Sequence, residues 1–313
     1  MTIDVSIIIT SYNVERYIER AVRSALVQAG VRVEVIVVDD GSTDGTWERL
    51  GAMDDPRITR LRMPENGGPG AARNMGFAAA TGAWIAVLDG DDALLPGRLE
   101  RCLACARASH ADMVVDNLMR HNEDGQADAP MFAPQPFARL GKLTLARFIR
   151  GTLSVFGGHS LGYLKPVFSA AFLKRHGLAY DTSIRIGEDY FLLADALALG
   201  GVCAVEPSVG YQYTVRAGSI SHRLDLASVE RMQTLDQQFM ARHRLDAVAQ
   251  RAQTMRSFLL RETHAYTRLI MALKARSPRM AAQAVLACPS ALRHLRQPIG
   301  KRLRRGMAAF KPL

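Results

Sequence analysis

Short, almost continuously apolar runs alternate with amphipathic ones through the first 117 residues. Runs at 5–10, 34–38, 58–63, 84–88 and 112–115 have strand length and few polar interruptions. Between them, 15–28 places Ile18, Val22, Ala25 and Leu26 on one helical face. A short segment ending at Leu50 and segments 71–80 and 98–108 also read as helices. Ser42, Thr43 and Asp44 are cap candidates before the first of these, and Gly82 is suited to the end of the second. Apolar strands separated by helices predict a mostly parallel sheet covered on both faces, an α/β fold.

The pattern is less regular beyond residue 117. The stretch 121-HNEDGQADAPMFAPQP-136 reads as a loop, 144–153 and 169–177 as helices, and 185–201 as a helix that opens with acids. Strands are expected at 202–206 and 209–213. From residue 225 the pattern is helical, broken at Pro278, Pro289 and Pro298.

Ligands of open α/β sheets bind beyond the carboxyl ends of the strands. Four polar clusters, 10-TSYN-13, 39-DDGST-43, 66-NGGPGAARN-74 and 89-DGDD-92, follow apolar strands there and converge on one rim. The last cluster is the most costly, because Asp89, Asp91 and Asp92 repel one another unless something positive sits among them. A dinucleotide fold wants GxGxxG after the first strand, where 10-TSYN-13 stands, and no GxxxxGK[ST] loop occurs. Nicotinamide hydride transfer and P-loop chemistry are thereby disfavoured. Clustered carboxylates with few histidines suit a hard cation, Mg²⁺ or Mn²⁺, which holds substrate phosphates as well. Asp89 and Asp91 can face the same side of an extended segment.

Composition adds two points. Four scattered cysteines do not make a disulfide framework, and Cys102 and Cys105 read as helix packing without a second CxxC for zinc. The N-terminal apolar run has strand length and no basic segment before it, unlike a signal peptide. No window reaches the ~18 apolar residues of a membrane span.

The set 6-SIIITSYN-13, 36-IVVDDGSTDGT-46, 66-NGGPGAARNMGFAAATG-82, 88-LDGDD-92 and 187-GEDYFL-192 resembles the family 2 glycosyltransferases of GT-A fold. Within that family, 161-LGYLKP-166 and 185-RIGEDYFL-192 are similar to bacterial exopolysaccharide glucosyltransferases of the succinoglycan type. The resemblance implies a GT-A domain over 1–224, with a nucleotide-sugar half at 1–117 and an acceptor half at 118–224. It implies a UDP-sugar donor, with Thr10, Tyr12 and Asp40 around the base, Asp39 at the ribose and Asp89 at ribose or sugar. Asp91 would be the main metal ligand, and His222 a further metal or diphosphate contact. Arg73, near the N-terminus of the helix after the glycine loop, would serve the phosphates. Asp189 matches the base of an inverting displacement, with Glu188 beside it. The implied enzyme is cytoplasmic, peripheral on the inner face of the cell membrane, and acts on a polyprenyl-diphosphate-linked saccharide. Two other readings stay open: a sugar-phosphate nucleotidyltransferase, for which 10-TSYNVE-15 lacks the usual glycine- and basic-rich loop, and an inactive nucleotide-sugar-binding scaffold.

The formal charge of +10 belongs to the end of the chain. From Arg251 onward fourteen Lys or Arg face one acid, Glu262, and 225–313 reads as a basic helical C-terminal extension. Its alternation of apolar and basic residues suits either an anionic membrane surface or a cap on the catalytic domain. Nothing resembling a base-stacking or groove-reading module accompanies the charge, so no nucleic-acid partner is expected. On the membrane reading, the protein binds anionic liposomes in sedimentation at low salt. The binding weakens as salt shortens a screening length of about 8 Å at physiological ionic strength. No binding at low salt would remove this partner.

Overall fold

The computed structural model describes residues 2–153, 159–216 and 225–295. Four strands form the first half of one mixed sheet: β1 (Val5–Ser11), β2 (Val33–Asp39), β3 (Ile58–Arg62) and β4 (Trp84–Asp89). They pair in parallel in the order β3-β2-β1-β4. The register sets Ser11 opposite Asp39, Asp39 opposite Arg62 and Thr10 opposite Asp89, so the polar clusters share one rim. Helices α1 (Ile18–Leu26), α2 (Thr46–Gly51) and α3 (Pro69–Ala79) link these strands. Helix α3 begins two residues earlier than the pattern suggests, because Pro69 has the φ of a first helical turn and lacks only an amide that would be unpaired there. It lies so close to β1 that a Cβ on Gly76 would stand 2.3 Å from Ile8 Cγ2.

The other half follows β5 (Ala93–Leu94) and α4 (Arg98–Ser109), and comprises β6 (Met113–Asn122), β7 (Ala129–Pro130), β8 (Val167–Ser169) and β9 (Cys203–Val215). The nine-stranded sheet continues from β4 through β8, β6 and β9 to β5, with β7 paired to β6. Strands β5, β7 and β8 run antiparallel to their neighbours, and the rest share one direction. Two expectations change here. The strand expected at 112–115 extends to Asn122, and the two expected near 205 and 211 are one strand whose register shifts opposite Asp116–Leu118. In β6, buried polar residues concealed the continuity. Asp116 is neutralised by Arg98 through two bonds of 2.8 Å, and Asn117 donates to the Phe132 carbonyl at 2.8 Å.

Short helices α5 (Pro134–Ala138) and α6 (Leu145–Gly151) follow β7, α7 (Ala170–His176) follows β8, and α8 (Glu188–Ala198) precedes β9. The chain closes with α9 (Leu226–Arg242), α10 (Ala247–Lys274) and α11 (Pro278–Ala287). Pro278 starts α11 and Pro289 starts a 3-10 turn, so both proline interruptions are helix N-termini. Pro298 lies outside the described residues. Helix α10 packs on α6, α9 and α11. Met232, Leu235, Phe239, Ala252 and Leu260 belong to the same apolar core as β1. Arg256 lies 3.6 Å from the Tyr190 ring centroid and pairs with buried Asp236 at 3.0 Å. Lys274, Arg276 and Arg279 are exposed, as are Met271, Leu273, Met280 and Leu286. No described helix is long and apolar enough to cross a membrane.

Among the described residues Arg98 is the largest wholly buried side chain, and it ties the sheet to the site by donating at 2.6 Å to the Lys165 carbonyl. Arg98→Leu leaves Asp116 buried without its cation. Urea unfolding should show a loss of about 3–5 kcal/mol. A loss within error would show that the pair contributes nothing to stability.

Candidate active site

At the rim, β4 ends in Asp89 and α8 begins with Glu188 and Asp189. Gly187 caps α8 at φ +88°, a left-handed conformation that favours glycine, and turns the acids inward from the helix start. The positive end of the helix favours acids there. Two elements distant in sequence thus bring three carboxylates to one point, and two buried cations hold them. Arg73 of α3 bonds Asp89 at 2.6 Å, Glu188 at 2.6 Å and Asp189 at 3.1 Å. Lys165, just before β8, bonds Asp89 at 2.8 Å and Asp189 at 2.7 Å.

Tyr180 completes the cluster. Its ring lies under the Arg73 guanidinium at 5.0 Å, and its hydroxyl donates to Asp189 Oδ1 at 3.1 Å. Asn74, next to Arg73 on α3, pins the Tyr180 backbone through two 2.9 Å bonds. Burial would raise the Asp89 carboxyl, but Lys165 and Arg73 hold it well below the usual range. Burial would likewise discharge Lys165, yet Asp189 and Asp89 outweigh it and keep the ammonium charged. Burial, seconded by Asp189, pushes the Tyr180 phenol up, so it remains a donor. Burial raises Glu188 as well, with Arg73 pulling the other way and Asp189 adding to the rise.

The repulsion within the acidic triplet is answered by the chain's own groups. Asp91 stands at the rim, one-fifth exposed, with Arg216 Nε at 2.7 Å. Asp92 is buried and accepts from Tyr211 Oη and the Thr214 amide, both at 2.7 Å. Burial and then Asp91 and Asp89 push its carboxyl well up. Tyr211 Oη also accepts from the Asp89 amide at 3.1 Å, so β9 fixes the turn that presents the triplet.

The residues expected around the nucleotide occupy the neighbouring strand ends. Tyr12 is 40% exposed beyond β1, and Thr10 is half-buried beside Asp89. Asp39 has no exposed surface and is held by Ser42, Ser11 and Arg62. Asp40 accepts the amides of Gly67 at 2.7 Å and Gly68 at 3.0 Å, while burial raises its carboxyl. It therefore holds the glycine loop, although a carboxylate has lone pairs left for another donor. Arg73, expected at phosphates, is 2% exposed and engaged with carboxylates. His222 lies outside the described residues. Among the described residues, no group of three or more His, Cys, Asp or Glu is set to hold a metal. Cys102 is buried on α4 with Cys105 beside it half-buried, as helix packing requires.

Lys165, Tyr180 and Tyr211 were not singled out from sequence. Only Lys165 left a signal, as a lone cation inside the apolar run 161-LGYLKPVF-168. The tyrosines sit in segments with nothing to separate them from core aromatics.

Residues 6–172 match the model of the family described as Glycosyl transferase family 2. The chain belongs to glycosyltransferase family 2. This family 2 chain is 47% identical over 307 residues to the succinoglycan biosynthesis protein ExoO of Rhizobium meliloti (strain 1021), covering 98% of this chain and 88% of that one. It is 38% identical over 257 residues to succinoglycan biosynthesis protein ExoU of the same organism, covering 80% and 73%. Among solved structures, S. aureus TarS 1-349 in complex with UDP-GlcNAc superposes with a TM-score of 0.66 at 17% identity, covering 90% of each chain. The mannosyltransferase PcManGT of Pyrobaculum calidifontis, in complex with GDP-Man and Mn²⁺, gives 0.61 at 19% identity, covering 93% of this chain and 81% of that one. These likenesses show the GT-A fold.

Proposed function

We propose that this glycosyltransferase moves a hexose such as glucose from a UDP-sugar to a polyprenyl-diphosphate-linked saccharide, inverting the anomeric centre, in assembly of a bacterial exopolysaccharide. The observation that carries the reading is the meeting of Asp89 and Asp189 around one ammonium, which sets a donor-side carboxylate beside a candidate base. Similarity to two succinoglycan biosynthesis proteins supports the pathway class. Residues 1–117 would bind the nucleotide sugar, with Thr10, Tyr12 and Asp40 at the base and Asp39 bracing the ribose side. Residues 118–224 would receive the acceptor. The helices from 225 onward would cap the catalytic core and offer the exposed Met271, Leu273, Met280 and Leu286, among Lys274, Arg276 and Arg279, to the inner face of the membrane.

In transfer, the acceptor hydroxyl attacks the anomeric carbon as Asp189 takes its proton, and UDP leaves. Glu188, bonded to the same guanidinium nitrogen as Asp189, orients its neighbour. Asp91 suits Mg²⁺ or Mn²⁺: it is a partly exposed rim carboxylate, and such ions take one or two carboxylates plus phosphate oxygens. Asp89 fits less well as a ligand, since Lys165 and Arg73 bond its two oxygens. The bound ion would supply charge neutralisation for the departing diphosphate. His222 is kept as a further candidate ligand.

Two experiments test this. Asp189→Asn keeps the shape but cannot take a proton, so turnover of a UDP-hexose should fall by about 10² or more. Donor affinity by calorimetry should stay within a few-fold, and Glu188→Gln should cost less. Full activity in both variants would place the base elsewhere. Separately, EDTA or Asp91→Ala should abolish metal-dependent UDP binding with the thermal unfolding midpoint kept. UDP affinity indifferent to both would sink the metal assignment.

A further inference from the structure

Lys165 is 6% exposed, and its ammonium bonds two carboxylates of the site. On the donor side it meets Asp89, at the end of β4, at 2.8 Å. On the acceptor side it meets Asp189, in the first turn of α8, at 2.7 Å. Its backbone is fixed independently, because buried Arg98 donates to its carbonyl and is itself held by Asp116. A lysine is ordinarily a mobile point charge on a flexible stem. Here the stem starts from an anchored strand entry and ends between two carboxylates.

We propose that Lys165 is the positioning residue that couples the two halves of the transfer site, holding the base Asp189 in register with the donor-side carboxylate Asp89. The proposal rests on the reading of Asp189 as base. The neighbours define what the ammonium must do. Asp189 faces Arg73 of α3, Tyr180, Glu188 and Lys165, and Asp89 faces Arg73 and Lys165. Arg73 alone would leave three carboxylates on one guanidinium. Oδ2 of Asp189 is bonded by Lys165, while Arg73 and Tyr180 bond Oδ1. Loss of the ammonium therefore frees one end of the base and lets it turn about the other. A misplacement on the order of 1 Å can cost 10²-fold in rate.

The test compares Lys165→Met, Lys165→Gln and Lys165→Arg with wild type. The donor is whichever UDP-hexose the wild-type enzyme turns over fastest, followed by UDP release. In Lys165→Met, kcat should fall about 10- to 100-fold while the donor KM moves little. Lys165→Arg, which keeps the charge, should recover most of the rate. If Lys165→Met fails to fold, Lys165→Gln, with a polar end of similar reach, supplies the uncharged arm. Should the uncharged variant keep the wild-type kcat while Asp189→Asn is inactive, the coupling role is overturned and the base reading stands. Should Asp189→Asn also turn over at the wild-type rate, the base reading itself has failed. A fall in kcat with a matching rise in donor KM and no recovery in Lys165→Arg would reduce Lys165 to a packing element.

Discussion

The site depends on a guanidinium buried almost entirely among carboxylates. Arg73 sits one turn into α3 and reaches acids on β4 and α8, 99 and 100 residues apart in the chain. A buried charge is tolerable only when paired and hydrogen-bonded, and a single carboxylate would leave some of its donors unmet. Arginine suits this place because its planar fork offers donors in several directions at once. The close seat of α3 on β1 at Gly76 fixes where the fork starts. Tyr180, held by Asn74, supplies an aromatic face for it.

Around that centre the carboxylates separate by environment. Asp89 is matched by two cations and held ionised, whereas Asp92, matched by a hydroxyl and an amide, has its carboxyl raised by burial and by its acidic neighbours. Asp91 keeps contact with solvent and faces Arg216 across the rim. Three acids within four positions thus acquire three environments. The difference comes from which strand end faces each one, and so from the fold more than from the acids themselves.

Much of this was legible in the sequence. The period of the first half gave its strands and helices, because parallel strands buried on both faces are apolar throughout. The rim followed from strand direction, and the motifs placed Asp89, Asp91, Glu188 and Asp189. Partner identity was harder to read. Arg73 was expected at phosphates because it follows a glycine loop, and nothing local reveals that it folds back onto α8. Lys165 pairs with residues 76 positions before it and 24 after it, a relation that no periodicity encodes. Strand β6 was cut short in the reading because Asp116 and Asn117 break its apolar pattern, although Arg98 and a carbonyl satisfy them inside. One basic residue of the C-terminal extension also turns inward. Charge density marks Arg256 as a surface residue, while the fold spends it on Tyr190 and Asp236.

These differences share a cause. For Arg73, Asp116, Lys165 and Arg256 the fold supplies an inside partner to a charged side chain. The bias is physical: solvation makes exposure the default for a lone charge, and only three-dimensional pairing overturns it. It also shows which expectations are least exposed to the error. Asp91 keeps part of its carboxylate at the surface, and Lys274, Arg276 and Arg279 stand in solvent among exposed apolar side chains. The ligand-facing parts of this enzyme are best sought where charge is left at the rim, while the interior cations set the geometry against which a ligand must fit.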